Sequence, residues 1–108
     1  MKLHLILCSC LLAVMAQSAR AEEPAPPSGQ TLGMMEAILS KCAQIDPKAA
    51  ARYEQRIPLL TQGVSEKVVA EVRNSDEYRQ SYDSTTESLR EVSEHDALED
   101  CTRSLAAK

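Results

Sequence analysis

The chain has no tryptophan and no phenylalanine, and three tyrosines are its only aromatic residues. An aromatic core is therefore excluded, and burial must come from Leu, Ile, Val, Met and Ala. There is no H-E-x-x-H, no C-x-x-C, no G-x-S-x-G, no glycine-rich phosphate loop and no EF-hand loop. Without such a constellation, the expectation is that the chain is not an enzyme and needs no cofactor. Lys and Arg number 12 against 16 Asp and Glu, a net charge of -4. That balance argues against nucleic acid as a partner, because phosphate calls for a basic surface. β-Hairpin dipeptides and sustained strand alternation are missing too, and no convincing β-branched run stands beyond Val68-Val69.

The first segment is a basic start, Met1-Lys2-Leu3-His4, then an apolar run from Leu5 to Ala16, then Gln17-Ser18-Ala19-Arg20-Ala21. This order predicts a secretory signal peptide over 1–21, with cleavage after Ala21 because Ala19 and Ala21 suit a peptidase that accepts small side chains. The run is too short to span a bilayer, which takes about 20 apolar residues, so no integral span is expected after cleavage. Leu7-Cys8-Ser9-Cys10 offers an alternative, a lipoprotein anchored through Cys10. A lipobox closes the apolar region, however, and here the run continues past Cys10. Loss of Lys2 and Arg20 with the signal carries the net charge to about -6.

Cleavage leaves Cys42 and Cys101. In an oxidising compartment an even pair points to a disulfide, and the long spacing argues against a redox C-x-x-C pair or a zinc site. Closing a loop of roughly 60 residues is worth on the order of 4 kcal/mol in chain entropy. A short domain with few large side chains needs that help.

Residues 22–30 read Glu-Glu-Pro-Ala-Pro-Pro-Ser-Gly-Gln, a flexible Pro-rich leader. One helical domain is expected over 31–108. With Thr31 as cap, Leu32, Met35, Leu39, Cys42 and Ile45 form a helical stripe that ends at Asp46-Pro47. Asp46 is expected to cap a second helix carrying Ala50, Tyr53, Ile57 and Leu60, which kinks at Pro58 or stops near Arg56. Gly63 is a C-terminal cap. Ser65 opens a third stretch with Val64, Val68, Val69 and Val72, and a break near Asn74 separates it from a stripe of Tyr78, Tyr82, Thr85, Leu89 and Val92. Ser93 with Asp96 suggests a capping box before a last helix with Leu98, Cys101 and Leu105. The predicted fold is all-α, a small bundle of four to five short helices tied by one disulfide, with both cysteines on core-facing stripes.

Candidate chemistry is sparse. His95 and Glu99, four apart on one helix face among further carboxylates, could hold a metal ion, but one histidine is a thin donor set and a solvated acidic face is the reading taken. Lys48, Arg52 and Arg56 make a basic row expected to face the last helix or water. Ser81, Ser84, Thr85, Thr86 and Ser88 lack a partnering histidine and are read as exposed helix positions. Tyr53, Tyr78 and Tyr82 are read as core.

Cys42-Ala43-Gln44-Ile45-Asp46-Pro47, Tyr53, Arg73-Asn74-Ser75-Asp76-Glu77-Tyr78 and Cys101 together resemble small exported two-cysteine helical proteins of proteobacteria. The resemblance spans Cys42 to Cys101 and implies a bacterial periplasm; it brings no activity or site residues with it. The expected function is that of an exported, periplasmic, non-enzymatic accessory or protein-interaction factor. A small-ligand or metal carrier is the alternative, and partner and oligomeric state stay open. Intact mass of the exported protein is expected to show a chain beginning at Glu22; a lipid-bearing chain beginning at Cys10 would replace this reading.

Overall fold

The computed structural model describes residues 25–106. The cleavage site expected after Ala21 and the cysteines Cys8 and Cys10 lie outside the described residues. Among the described residues five α-helices follow in order: α1 Gly29–Ile45, α2 Ala50–Glu54, α3 Glu66–Arg73, α4 Asp76–Arg90 and α5 Glu94–Ala106. Two 3-10 turns, Pro47–Ala49 and Pro58–Thr61, flank α2, and no strand occurs among the described residues. The all-α expectation, the helix number and the disulfide all hold.

Helix α1 is the central element and packs chiefly on α4. It begins earlier than expected. Ser28, not Thr31, is the cap, and its Oγ accepts the Thr31 amide at 3.1 Å. Gly29 and Gln30, read above as leader, are therefore helical. The glycines explain the difference. Gly29 and Gly33 are both buried one turn apart on the face toward α4. A Cβ on Gly33 would lie 2.5 Å from the Tyr78 carbonyl oxygen and 3.1 Å from the Tyr82 amide nitrogen. Backbone approaches backbone here, which only a residue without a side chain allows. The Ser81 hydroxyl donates to the Gln30 carbonyl at 2.6 Å across the same seam.

The chain turns at Asp46-Pro47, as the proline requires. Asp46 does not cap the next helix with its side chain. Its carboxylate instead accepts the Tyr53 hydroxyl at 3.0 Å. Helix α2 stops at Glu54, short of Pro58, and the 3-10 turn begins at that proline. Gly63 takes φ 85°, in the left-handed region, where a side chain would be strained. Ser65 caps α3 through the Val68 amide, α3 ends at Arg73 with Asn74 as its C-terminal cap, and Ser75 caps α4 through the Tyr78 amide. The break at Asn74 is thus present. Ser93 accepts the Asp96 amide at 3.2 Å and starts α5.

Two packing centres result. One gathers Leu39, Cys42, Tyr53 and Cys101, with Ile45, Ile57, Leu60 and Leu105 against them. Cys42 and Cys101 are bonded, with Cα atoms 5.6 Å apart. The other is the junction of α1 with α3 and α4, joined by Glu36 with Arg73 and Tyr78 and by the close approach at Gly33; Leu32 and Ala37 on α1 and Val69 on α3 are buried too. Val92, placed on the α4 stripe by periodicity, lies past the helix end at Arg90 and is 41% exposed. Met35 is only half buried, while Gly33, Glu36 and Ala37 are buried. The buried face of α1 is therefore rotated from the stripe that large apolar residues mark.

Gly33→Ala should lower unfolding free energy by about 1–3 kcal/mol through overpacking, even though alanine is the better helix former. Gln44→Ala, at an exposed position of the same helix, should stay within about 0.5 kcal/mol. Urea unfolding of the two variants checks the contrast.

Candidate functional site

Three groups of side chains invite a chemical reading. The first was not anticipated from sequence. Glu36 is buried, at 5% exposure, on the face of α1 that meets α3 and α4. Arg73 at the end of α3 donates to Glu36 Oε1 from Nε at 2.9 Å and from Nη2 at 2.5 Å. The Tyr78 hydroxyl donates to Oε2 at 2.5 Å. Both carboxylate oxygens are thus engaged. Burial, followed by the hydrogen bond and charge of Glu36, pushes the Tyr78 phenol well above its ordinary value of 10.0. The hydrogen bond to Glu36 raises the Arg73 guanidinium as well.

A phenol held so firmly is a poor proton donor at neutral pH, and a carboxylate with both oxygens occupied has no room for substrate. The cluster joins helices. The signal for it lay in the helical register: Glu36 is four residues after Leu32 and three before Leu39, between two core positions. A charge at such a position needs partners, and the sequence does not say which arginine or tyrosine supplies them.

The tyrosines divide by role. Tyr53 is 1% exposed, a core residue. Burial, and then the hydrogen bond to Asp46, raises its phenol also. Tyr78 and Tyr82 are half buried, with ring centroids 5.9 Å apart, within the range of a favourable aromatic pair.

The second group is His95, Asp96 and Glu99, whose candidate donor atoms lie within 4.8 Å of one another, all exposed. Glu99 also pairs with Arg103 at 3.4 Å along the same helix, so a cation already shares its carboxylate. The basic row is split. Arg56 reaches α5, donating from Nη1 and Nη2 to the carbonyls of Ser104 at 2.9 Å and Leu105 at 3.1 Å. It meets the last helix at its C-terminal carbonyls, where a cation complements the helix dipole, and not at its acidic side chains. Lys48 and Arg52 are exposed. Among the hydroxyl residues, Thr86 and Ser88 donate to carbonyls of their own helix, at 2.9 and 3.0 Å. No buried side-chain polar atom lacks a hydrogen-bond partner among the described residues.

The third group is apolar. A furrow of about 230 Å³ runs beside the disulfide, lined by Ile38, Leu89, Val92 and Ala97 and walled by Cys42 and Cys101 themselves. Lys41, Asp100 and Ser104 stand at its polar edge. Half-exposed Val92, in the turn between α4 and α5, is the most accessible of its apolar residues. Among the described residues no helix is long and apolar enough to cross a membrane.

In comparisons with known proteins, no family model matches the chain, and no curated protein or solved structure does.

The raised phenols fix a pH dependence. Below about pH 10 the phenols are protonated in both folded and unfolded chains, and their contribution is fully present. As pH rises past 10.0, the unfolded chain releases these protons while folded Tyr78 and Tyr53 retain theirs, so stability falls. Tyr78→Phe should make that alkaline decline shallower, with Tyr53 supplying the remainder. At neutral pH the same variant should cost about 1–3 kcal/mol, because Glu36 Oε2 loses its short donor and keeps only the long contact from Arg73 Nε at 3.4 Å. Urea unfolding at pH 7 and across pH 9–12 reads both effects.

Proposed function

We propose that this chain is an exported, non-enzymatic accessory protein of a bacterial periplasm that works by binding another protein. The observation that carries this reading is the apolar furrow beside the disulfide. Its volume of about 230 Å³ falls below the roughly 300–1,000 Å³ of pockets that enclose a small molecule. It suits one or two apolar side chains of a partner, with Lys41 and Asp100 offering polar contacts at the edge. Anchors of that kind contribute most of the affinity of protein interfaces.

The use of the polar groups supports the same reading. Glu36, Arg73 and Tyr78 hold three helices together, and Arg56 closes the end of a fourth. Groups spent on the fold in this way are not poised for a reaction. The oxidising compartment is supported by the signal-like first segment and by the disulfide, and the proteobacterial resemblance favours the periplasm.

A photo-crosslinking residue placed at Val92 should capture one defined protein in the periplasm, while the same probe at exposed Lys67 on α3 should not. Val92→Asp should weaken association with that protein by about tenfold or more, the scale of one lost anchor, with helix content unchanged by circular dichroism. Equal capture at both positions, or full binding by the Val92→Asp variant, would remove the furrow as the interaction site.

A further inference from the structure

We propose that the Cys42–Cys101 bond is a redox-controlled clasp for helix α5: reduction of the bond by a dithiol releases α5 and leaves the union of α1, α3 and α4 folded.

The two packing centres differ in what holds them. Between α1, α3 and α4, the backbone approach at Gly33, the carboxylate of Glu36 with Arg73 and Tyr78, and the Ser81 bond to Gln30 are all independent of the cysteines. Helix α5 is held differently. Its only buried residues are Ala97 and Cys101. Leu98 and Leu105 are half buried, and the rest of the helix faces water. Beyond the disulfide, its described side-chain tether is the pair of Arg56 bonds to the Ser104 and Leu105 carbonyls. At 13 residues α5 is near the lower limit, about 12–15 residues, at which even favourable sequences are marginal as isolated helices in water. The salt bridges along its surface are exposed and contribute little. Without the covalent tie, one alanine and two half-buried leucines must keep it docked.

The bond lies directly beneath the furrow. Both cysteines border the furrow, yet they are only 3% and 5% exposed, so a thiolate meets a sulfur there when the thinly packed α5 shifts away from α1, without unfolding of the rest of the chain. The exchange balances as follows. The first thiolate of the dithiol attacks one cysteine sulfur, forms a mixed disulfide and expels the other cysteine as a thiolate. The second thiol of the reductant, deprotonated, then attacks its own sulfur in the mixed disulfide and expels the first cysteine. Two protons complete the thiols of Cys42 and Cys101, and the reductant leaves as a disulfide, having given two electrons.

Release has a defined consequence. Ala97, Asp100, Cys101 and Ser104 all ride on α5 and all line the furrow. When α5 departs, the furrow loses one wall, and the packed surface of Leu39 and Tyr53 is uncovered. The furrow is therefore a feature of the oxidised chain. The link to binding rests on the function proposed above; the clasp itself rests on packing alone, so failure of capture at Val92 and failure of release are separate results.

The test is hydrogen exchange read by mass spectrometry on the full chain, first with its disulfide intact and then with dithiothreitol under native conditions. Residues 94–106 should lose protection on reduction, while 29–37 and 76–90 keep theirs. Loss of protection in all three segments would show a staple for the whole fold, and retained protection in α5 would show that the bond is dispensable for docking. Either result overturns the proposal. A double variant, Cys42→Ala with Cys101→Ala, should reproduce the reduced pattern without reagent, and its failure to fold would likewise overturn it.

Discussion

A single buried carboxylate sets how three of the helices meet. Glu36 cannot be left in an apolar interface without donors, because an unpaired buried charge is among the costliest features a fold can carry. Its two donors, Arg73 and Tyr78, stand on either side of the Asn74-Ser75 corner. One helix running straight through residues 66–90 would continue in one direction past α1. The corner lets the end of α3 and the first turn of α4 converge on the same carboxylate. The glycine seam then lets α4 lie close enough along α1 for the phenol to reach. Buried ion pairs often add little net stability over apolar replacements. In this protein the pair specifies an arrangement: register between α1 and α4, and the angle at which α3 enters.

The second centre follows another logic. It has one aromatic side chain, Tyr53, and its polar hydroxyl is satisfied by Asp46 at the turn that precedes α2. The remaining contacts are modest aliphatics and the two sulfurs. A centre this small is poor in burial, and the covalent bond offsets part of that shortage by restricting the unfolded chain. The protein thus joins a polar, geometrically demanding centre to an apolar centre that depends on cross-linking. The furrow lies beside the second, bordered by both cysteines.

Much of this was legible in the linear chain. Serine caps, the Asp46-Pro47 stop, the Asn74 break and the placement of both cysteines on core stripes came from local rules, since capping and proline geometry act over three or four residues. Local rules failed where tertiary demand overrode them. Gly29 looked like leader because glycine and serine after prolines suit a flexible segment, yet it is packed against α4. Asp46 looked like a helix cap, yet its carboxylate is claimed by Tyr53. Val92 continued a stripe by spacing, yet the helix had already ended. Met35 outweighed Gly33 and Glu36 on hydrophobicity, although the latter two are the residues buried.

What the sequence determined by itself was the helical class, most of the element boundaries, and a pairing of Cys42 with Cys101. Each depends on interactions between near neighbours or on the small number of cysteines that lie beyond the expected signal. What only the tertiary structure decided was which face of α1 is inside, which side chains satisfy Glu36, where Arg56 reaches, and that the disulfide lines an open apolar furrow. Those depend on residues 37 to 59 positions apart being brought together. No local periodicity encodes such meetings, because they are settled by the packing of whole helices and by the need to pair every buried polar group.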